Sequence, residues 1–110
     1  ELHDATAFAE IMQTEMLGFS EPGGGKELLR AGQTRLGGSL PVNVSGGLLG
    51  RGHPIAATGL AMIGEVASHL RNEAGSRQVQ GARHGLVENG GGLLGLEESI
   101  ALVTILEGQS

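Results

Sequence analysis

The sequence has 110 residues, enough for one small domain or a piece of a larger one. It has no cysteine, tryptophan or tyrosine, and its 7 Lys+Arg against 12 Asp+Glu give a formal net charge of -5. These numbers exclude a disulfide scaffold, a cysteine-based zinc site and a cysteine nucleophile within the chain, and they argue against nucleic-acid binding, which needs basic surface and stacking aromatics.

The opening Glu1-Leu2-His3-Asp4 reads as the end of a strand already under way, so a fragment of a longer protein is expected. Apolar residues then recur at Ala5, Phe8, Met12 and Met16, the spacing of a helix over residues 5–17. Asp4 stands where an N-cap belongs and Gly18 where a C-terminal glycine belongs. Glu21-Pro22-Gly23-Gly24-Gly25 is a turn, and Lys26 to Ala31 can make one or two helical turns. Leu40 to Val44 is a short extended run, with Pro41 pointing to an edge position. Residues 45–53 form a glycine-rich loop, and a helix starts at Pro54, a residue suited to the first helical position. Its apolar stripe is Ile55, Gly59, Met62, Ile63, Val66 and Leu70. The helical glycines Gly59 and Gly64 each cost about 1 kcal/mol against alanine, which suggests that something packs very close.

Residues 72–80 are a polar surface excursion. Two strands close the chain, His84 to Glu88 and Ile100 to Leu106, around a glycine turn at residues 89–95. Both alternating faces of the second are apolar, so it is expected to be covered on both sides. The element order predicts an α/β layer in which helices pack on a mixed sheet. No stretch approaches the ~20 apolar residues of a membrane span. No basic segment followed by an apolar one marks a signal peptide, and a cytoplasmic protein is expected.

Several motifs are spelled without their context. Gly90-Gly91-Gly92-Leu93-Leu94-Gly95 fits a dinucleotide fingerprint, but a strand follows it instead of a helix. Gly25-Lys26 lacks the upstream glycine of a phosphate loop, and the four histidines have no metal-ligand spacing. His69 and His84 read as solvated side chains. His53 is different: it ends the glycine-rich loop just before a helix N-terminus, where the dipole keeps an imidazole neutral. A neutral imidazole there can take a proton from a nucleophile or hydrogen-bond a carbonyl oxygen, although capping a turn is an equally simple role. His3 and Asp4 lie at a strand end, where ligand-binding side chains project in α/β sheets.

Val42-Asn43-Val44-Ser45-Gly46-Gly47 followed by Gly52-His53-Pro54-Ile55-Ala56-Ala57-Thr58-Gly59 resembles the thiolase block VNxSGG…GHPxGATG. His3-Asp4-Ala5-Thr6-Ala7 is similar to the family's NEAF motif, or HDCF in its sterol-carrier branch, and Glu88-Asn89-Gly90-Gly91-Gly92 to its CxGGG motif. The resemblance covers essentially the whole chain. It implies a partial thiolase C-terminal domain over 1–110, without the N-terminal half that carries the nucleophilic cysteine. It further implies that His53 activates that cysteine and helps hold the thioester oxyanion, that His3 belongs to one oxyanion hole and Gly90 to a second, and that Asn43 and Gly52 are substrate- or oxyanion-hole residues scaffolding the loops. Glu88 falls where many thiolases carry an acid/base cysteine, and Ala5 where HDCF has one; Glu88 could move the proton if burial raised its pKa.

The function so implied is Claisen-type cleavage or condensation of acyl-CoA thioesters. The alternatives are retro-aldol cleavage of steroid side-chain CoA esters, and a non-catalytic acyl-CoA- or lipid-binding or structural subunit. No cofactor is expected beyond coenzyme A as part of the substrate. The expected partners are an acyl-CoA, further copies of the chain in a homo-oligomer and a DUF35/OB-fold protein.

Overall fold

A computed structural model describes residues 1–95 and 98–109. Its elements are α1 (Ala7–Met16), α2 (Gly25–Arg30), α3 (Gly47–Arg51), α4 (Thr58–Leu70), a 3₁₀ turn (Gly75–Arg77), β1 (His84–Gly91) and β2 (Ile100–Glu107). The two strands pair antiparallel, from His84 opposite Glu107 to Gly91 opposite Ile100. On the other edge of β1 the Glu1 nitrogen donates to the Leu86 carbonyl at 2.8 Å, and Glu88 N donates to Glu1 O at 3.0 Å. This staggered pair of bonds is the parallel pattern. The α/β class therefore holds. Among the described residues the expected mixed sheet is reduced to one antiparallel pair, with the parallel contact of Glu1 beside it.

The core lies between α4 and β1. Leu48, Met62, Val66 and Val87 form a buried cluster, with Leu70 and Leu106 packed against it. The helix reaches the strand closely because Gly85 has no side chain: a β-carbon there would overlap Val66 Cγ1.

Several sequence expectations are corrected at element ends. Thr6, not Asp4, caps α1, its Oγ1 accepting from Ala9 N at 3.1 Å. Asp4 is instead buried and accepts from Leu48 N at 2.6 Å, which heads the short α3 inside the stretch expected to be loop. Gly47 permits this contact. It adopts φ +61°, and a β-carbon would collide with the Asp4 carboxylate. The helix expected from Pro54 starts at Thr58, because Ala56 sits at φ +68° in the left-handed region and breaks the helical path. The Pro54 carbonyl closes the preceding turn by accepting from Ala57 N and Thr58 N. Leu40 to Val44 is no strand, since Asn43 takes φ +48°. β1 runs on through Gly91, past the expected end at Glu88.

Burial also departs from expectation. Phe8 and Met16 of α1 are 70% and 76% exposed, while the buried positions are Gln13 and Thr14. The inward side of α1 meets backbone rather than an apolar core: Gln13 Nε2 donates to His3 O at 3.0 Å. β2, expected to be covered on both faces, leaves Ile100, Leu102, Val103 and Ile105 exposed. His69, expected in solvent, is buried. Val79 N donates to its Nδ1 at 3.1 Å, and its Nε2 faces Glu65 Oε1 at 3.3 Å, off the line of a good hydrogen bond. The polar excursion thus folds back onto the end of α4, where Arg77 holds Glu65 through two bonds of 2.9 and 3.0 Å. His84 is exposed, as the sequence predicts. Among the described residues, no helix is long and apolar enough to cross a membrane.

Candidate functional site

An open cleft of about 990 Å³ runs between the start of α4, the end of β1 and β2. His3, His53, Asn89, Gly90 and Glu98 line it. The two imidazoles come from residues 50 positions apart and meet edge to face, with ring centroids 4.8 Å apart and planes at 88°.

His3 is held by its own backbone. Leu2 N donates to Asn43 Oδ1 at 2.7 Å, and Asn43 Nδ2 donates back to Leu2 O at 3.3 Å. His3 N donates to Glu88 Oε2 at 3.1 Å. His3 is 8% exposed, and its Nδ1 lies 3.2 Å from Asn89 Oδ1. A carboxamide oxygen only accepts, so His3 Nδ1 is the donor in this contact, and Nε2 has no part in it.

His53 follows Gly52, whose φ of +97° turns the chain out of α3. Its Nδ1 lies 2.8 Å from Thr58 Oγ1, and the Thr58 hydroxyl donates to Pro54 O at 2.9 Å. A hydroxyl has one proton. Because that proton goes to Pro54, Thr58 can only accept from His53, so Nδ1 of His53 is protonated as well. Thr58 is 2% exposed, so this arrangement is buried beneath an exposed ring. In both imidazoles Nδ1 is the nitrogen tied to a protein partner, and each Nε2 is free of these partners.

Strand parity arranges the rest. Val87 and Asn89 share the α4 side of β1, and a β-carbon on Gly59 would sit 3.4 Å from the Asn89 carboxamide. An alanine would make ordinary contact there, and nothing lies within 4 Å of a β-carbon on Gly64, so the close packing expected at the helical glycines is found at neither. Successive backbone groups alternate between strand edges, so the Gly90 N–H points to the same edge as the Glu88 N–H, which bonds to Glu1 and not to β2. The Glu98 carboxylate lies against the Cα of Gly90, filling the space a side chain would need.

Three of the six residues singled out from sequence line the cleft: His3, His53 and Gly90. The other three stand behind it. Asn43 fixes the segment that carries His3 and borders a separate, largely apolar pocket of about 410 Å³. Gly52 turns the loop. Glu88 is buried beneath the cleft with its carboxyl on His3 N, and burial is the main cause that pushes its pKa above the ordinary 4.5. The polar side chain that β1 presents to the cleft, beside the apolar Val87, is Asn89, to which the motif gives no role. The period of two, counted from the apolar Val87, contains that signal. Thr58 stands within the GHPxGATG-like block but has no role assigned there, and Glu98 carries no comparable signal. Among the described residues no group of His, Asp and Glu is placed to hold a metal ion.

Residues 1–106 match the family described as thiolase C-terminal domain-like. The chain belongs to that family. It is 50% identical over 92 residues to an acetyl-CoA acetyltransferase of Methanothermobacter thermautotrophicus, covering 84% of this chain and 24% of that protein. It is 46% identical over 89 residues to sterol carrier protein 2 of Bos taurus, covering 81% of this chain and 16% of that one. It is also 41% identical over 80 residues to the benzoylsuccinyl-CoA thiolase subunit BbsB of Thauera aromatica, covering 73% and 21%. This thiolase-family chain thus spans a quarter or less of the length of these relatives.

Proposed function

We propose that this chain is the C-terminal part of a thiolase-type acyltransferase that cleaves or forms a carbon–carbon bond beside a CoA thioester. The observation that carries the reading is the pair of imidazoles, each tied through Nδ1, in a cleft edged by Gly90. In this reading His53 Nε2 takes the proton of a thiol supplied from outside these 110 residues, and the thiolate attacks the thioester carbonyl. The Gly90 N–H faces the oxyanion that forms; one such donor is worth about 3–4 kcal/mol of barrier. Coenzyme A enters as part of the substrate, and self-association and an OB-fold partner belong to the same proposal.

The test is acyl-CoA turnover by the intact protein, wild type against His53→Ala. Loss of the base lowers kcat by about 10²–10⁴-fold. Equal turnover by the two proteins would sink the reading. A second reading, a non-catalytic acyl-CoA-binding subunit, is favoured by one observation: β1 presents an amide, Asn89, to the cleft instead of a proton-transferring group. An intact protein that binds acyl-CoA without turning it over would support it.

A further inference from the structure

We propose that His3 is the group that moves the proton on carbon in this cleft, and that Asn89 is the residue that positions it for that task. The proposal rests on the thioester reading above and assigns a step for which that reading names no residue. Making or breaking a bond beside a thioester needs one group to accept and return a proton at the α-carbon. The β1 candidates do not supply it. Asn89 is an amide that does not act as an acid or base at neutral pH, and the Glu88 carboxyl lies off the cleft on the His3 backbone nitrogen.

His3 is built for it. With Nδ1–H held by Asn89 Oδ1, a neutral His3 has only a lone pair at Nε2. It can accept a proton there but cannot donate one until it has done so. This is the opposite of an oxyanion-hole donor, the role implied by the sequence resemblance. When Nε2 takes the α-proton, the C–H bond breaks and its electron pair passes into the enolate of the thioester. An N–H bond forms, and the imidazolium keeps its Nδ1–H on Asn89. In reverse, the imidazolium returns the proton to carbon, and no other reactant is needed. His53, with its own free Nε2 and its ring 4.8 Å away, is left to serve the thiol. Asn89 lies beside Gly59 of α4, where an added β-carbon would come within 3.4 Å of its carboxamide. The charged or titratable groups around the His3 ring are Glu88 from β1, His53 from the turn before α4, Glu98 from the segment before β2, and the adjacent Asp4.

The discriminating variant is His3→Asn in the intact protein. Asparagine can still donate a hydrogen bond but cannot carry a proton. Two signals are followed with acetyl-CoA in D₂O: the burst of free CoA on acylation, and deuterium wash-in at the α-carbon. The expected result is a burst within about 10-fold of wild type and wash-in reduced by about 10²–10⁴-fold. A burst with wash-in undiminished in His3→Asn overturns the inference. Absence of a burst in wild type overturns the thioester reading instead. Asn89→Asp keeps an acceptor on Nδ1, so wash-in persists with its acid limb moved up by about 1 unit or more. Asn89→Leu loses wash-in while keeping the burst. Wash-in with an unchanged pH profile in both Asn89 variants would remove Asn89 from the positioning role.

Discussion

The Asp4 carboxylate ties the two halves of the cleft together, and its removal gives a measurable loss. Asp4 is 2% exposed and accepts from Leu48 N at 2.6 Å, across 44 residues of chain. Asp4→Ala leaves that buried N–H without a partner. Hydrogen bonds to charged groups contribute about 1.5–3 kcal/mol, and an orphaned buried donor costs a similar amount. At 1.4 kcal/mol per factor of ten, the Leu48 amide should exchange with solvent about 10- to 100-fold faster. Asp4→Asn keeps an acceptor without the charge and should lose about half as much free energy. Hydrogen exchange read at Leu48 and Gly52, in the first turn of α3 and just past its end, is the assay. If Asp4→Ala leaves Leu48 protected to within about 0.5 kcal/mol of wild type, the carboxylate is not what holds the His53 loop, and the reasoning fails.

Gly85→Ala should destabilise the fold by about 1–3 kcal/mol, because its new methyl group meets Val66 in the core. Adding Val66→Ala should relieve that clash, so a double-mutant cycle by denaturant melting should show coupling of about 1 kcal/mol or more; additive losses would count against the close approach. Glu65 is pulled below its ordinary 4.5, first by the hydrogen bond from Arg77. A carboxylate whose folded pKa is depressed stabilises the fold above its unfolded value, and that contribution drains away as pH falls from 4.5 through the lower folded value. Arg77→Met should therefore lower Tm most above about pH 5 and converge with wild type in acid, whereas a constant gap down to about pH 3 would exclude the linkage.

The parts of the fold that sequence made legible are those with a repeating period. The 3.6-residue stripe through Met62, Val66 and Leu70 marked α4, and the apolar run from Ile100 marked β2. What escaped was set by distant contacts. α3 lies in a glycine-rich stretch with poor helix propensity and exists because Asp4 heads it. α4 starts late because one residue, Ala56, takes a left-handed conformation that composition does not announce. Apolar spacing identified α1 as a helix but gave the wrong inner face, since its packed side meets the His3 backbone. In the site, His53 and His3 were found from their motifs. Glu88 and Asn89 were exchanged because the motif was aligned by letter, whereas the cleft is addressed by the strand's two-residue alternation.

The first four residues are fastened at three places that lie far apart in sequence: β1 through Leu86 and Glu88, the bend at Asn43, and α3 through Leu48. Contacts of such long range form late and together, because each loop must close before any bond rewards it. His3 and His53 therefore come into register only once the first residues have met β1, the bend at Asn43 and α3. A half-folded species of this segment would have neither imidazole in place, so recovery of the cleft during refolding should follow recovery of the whole structure in a single phase.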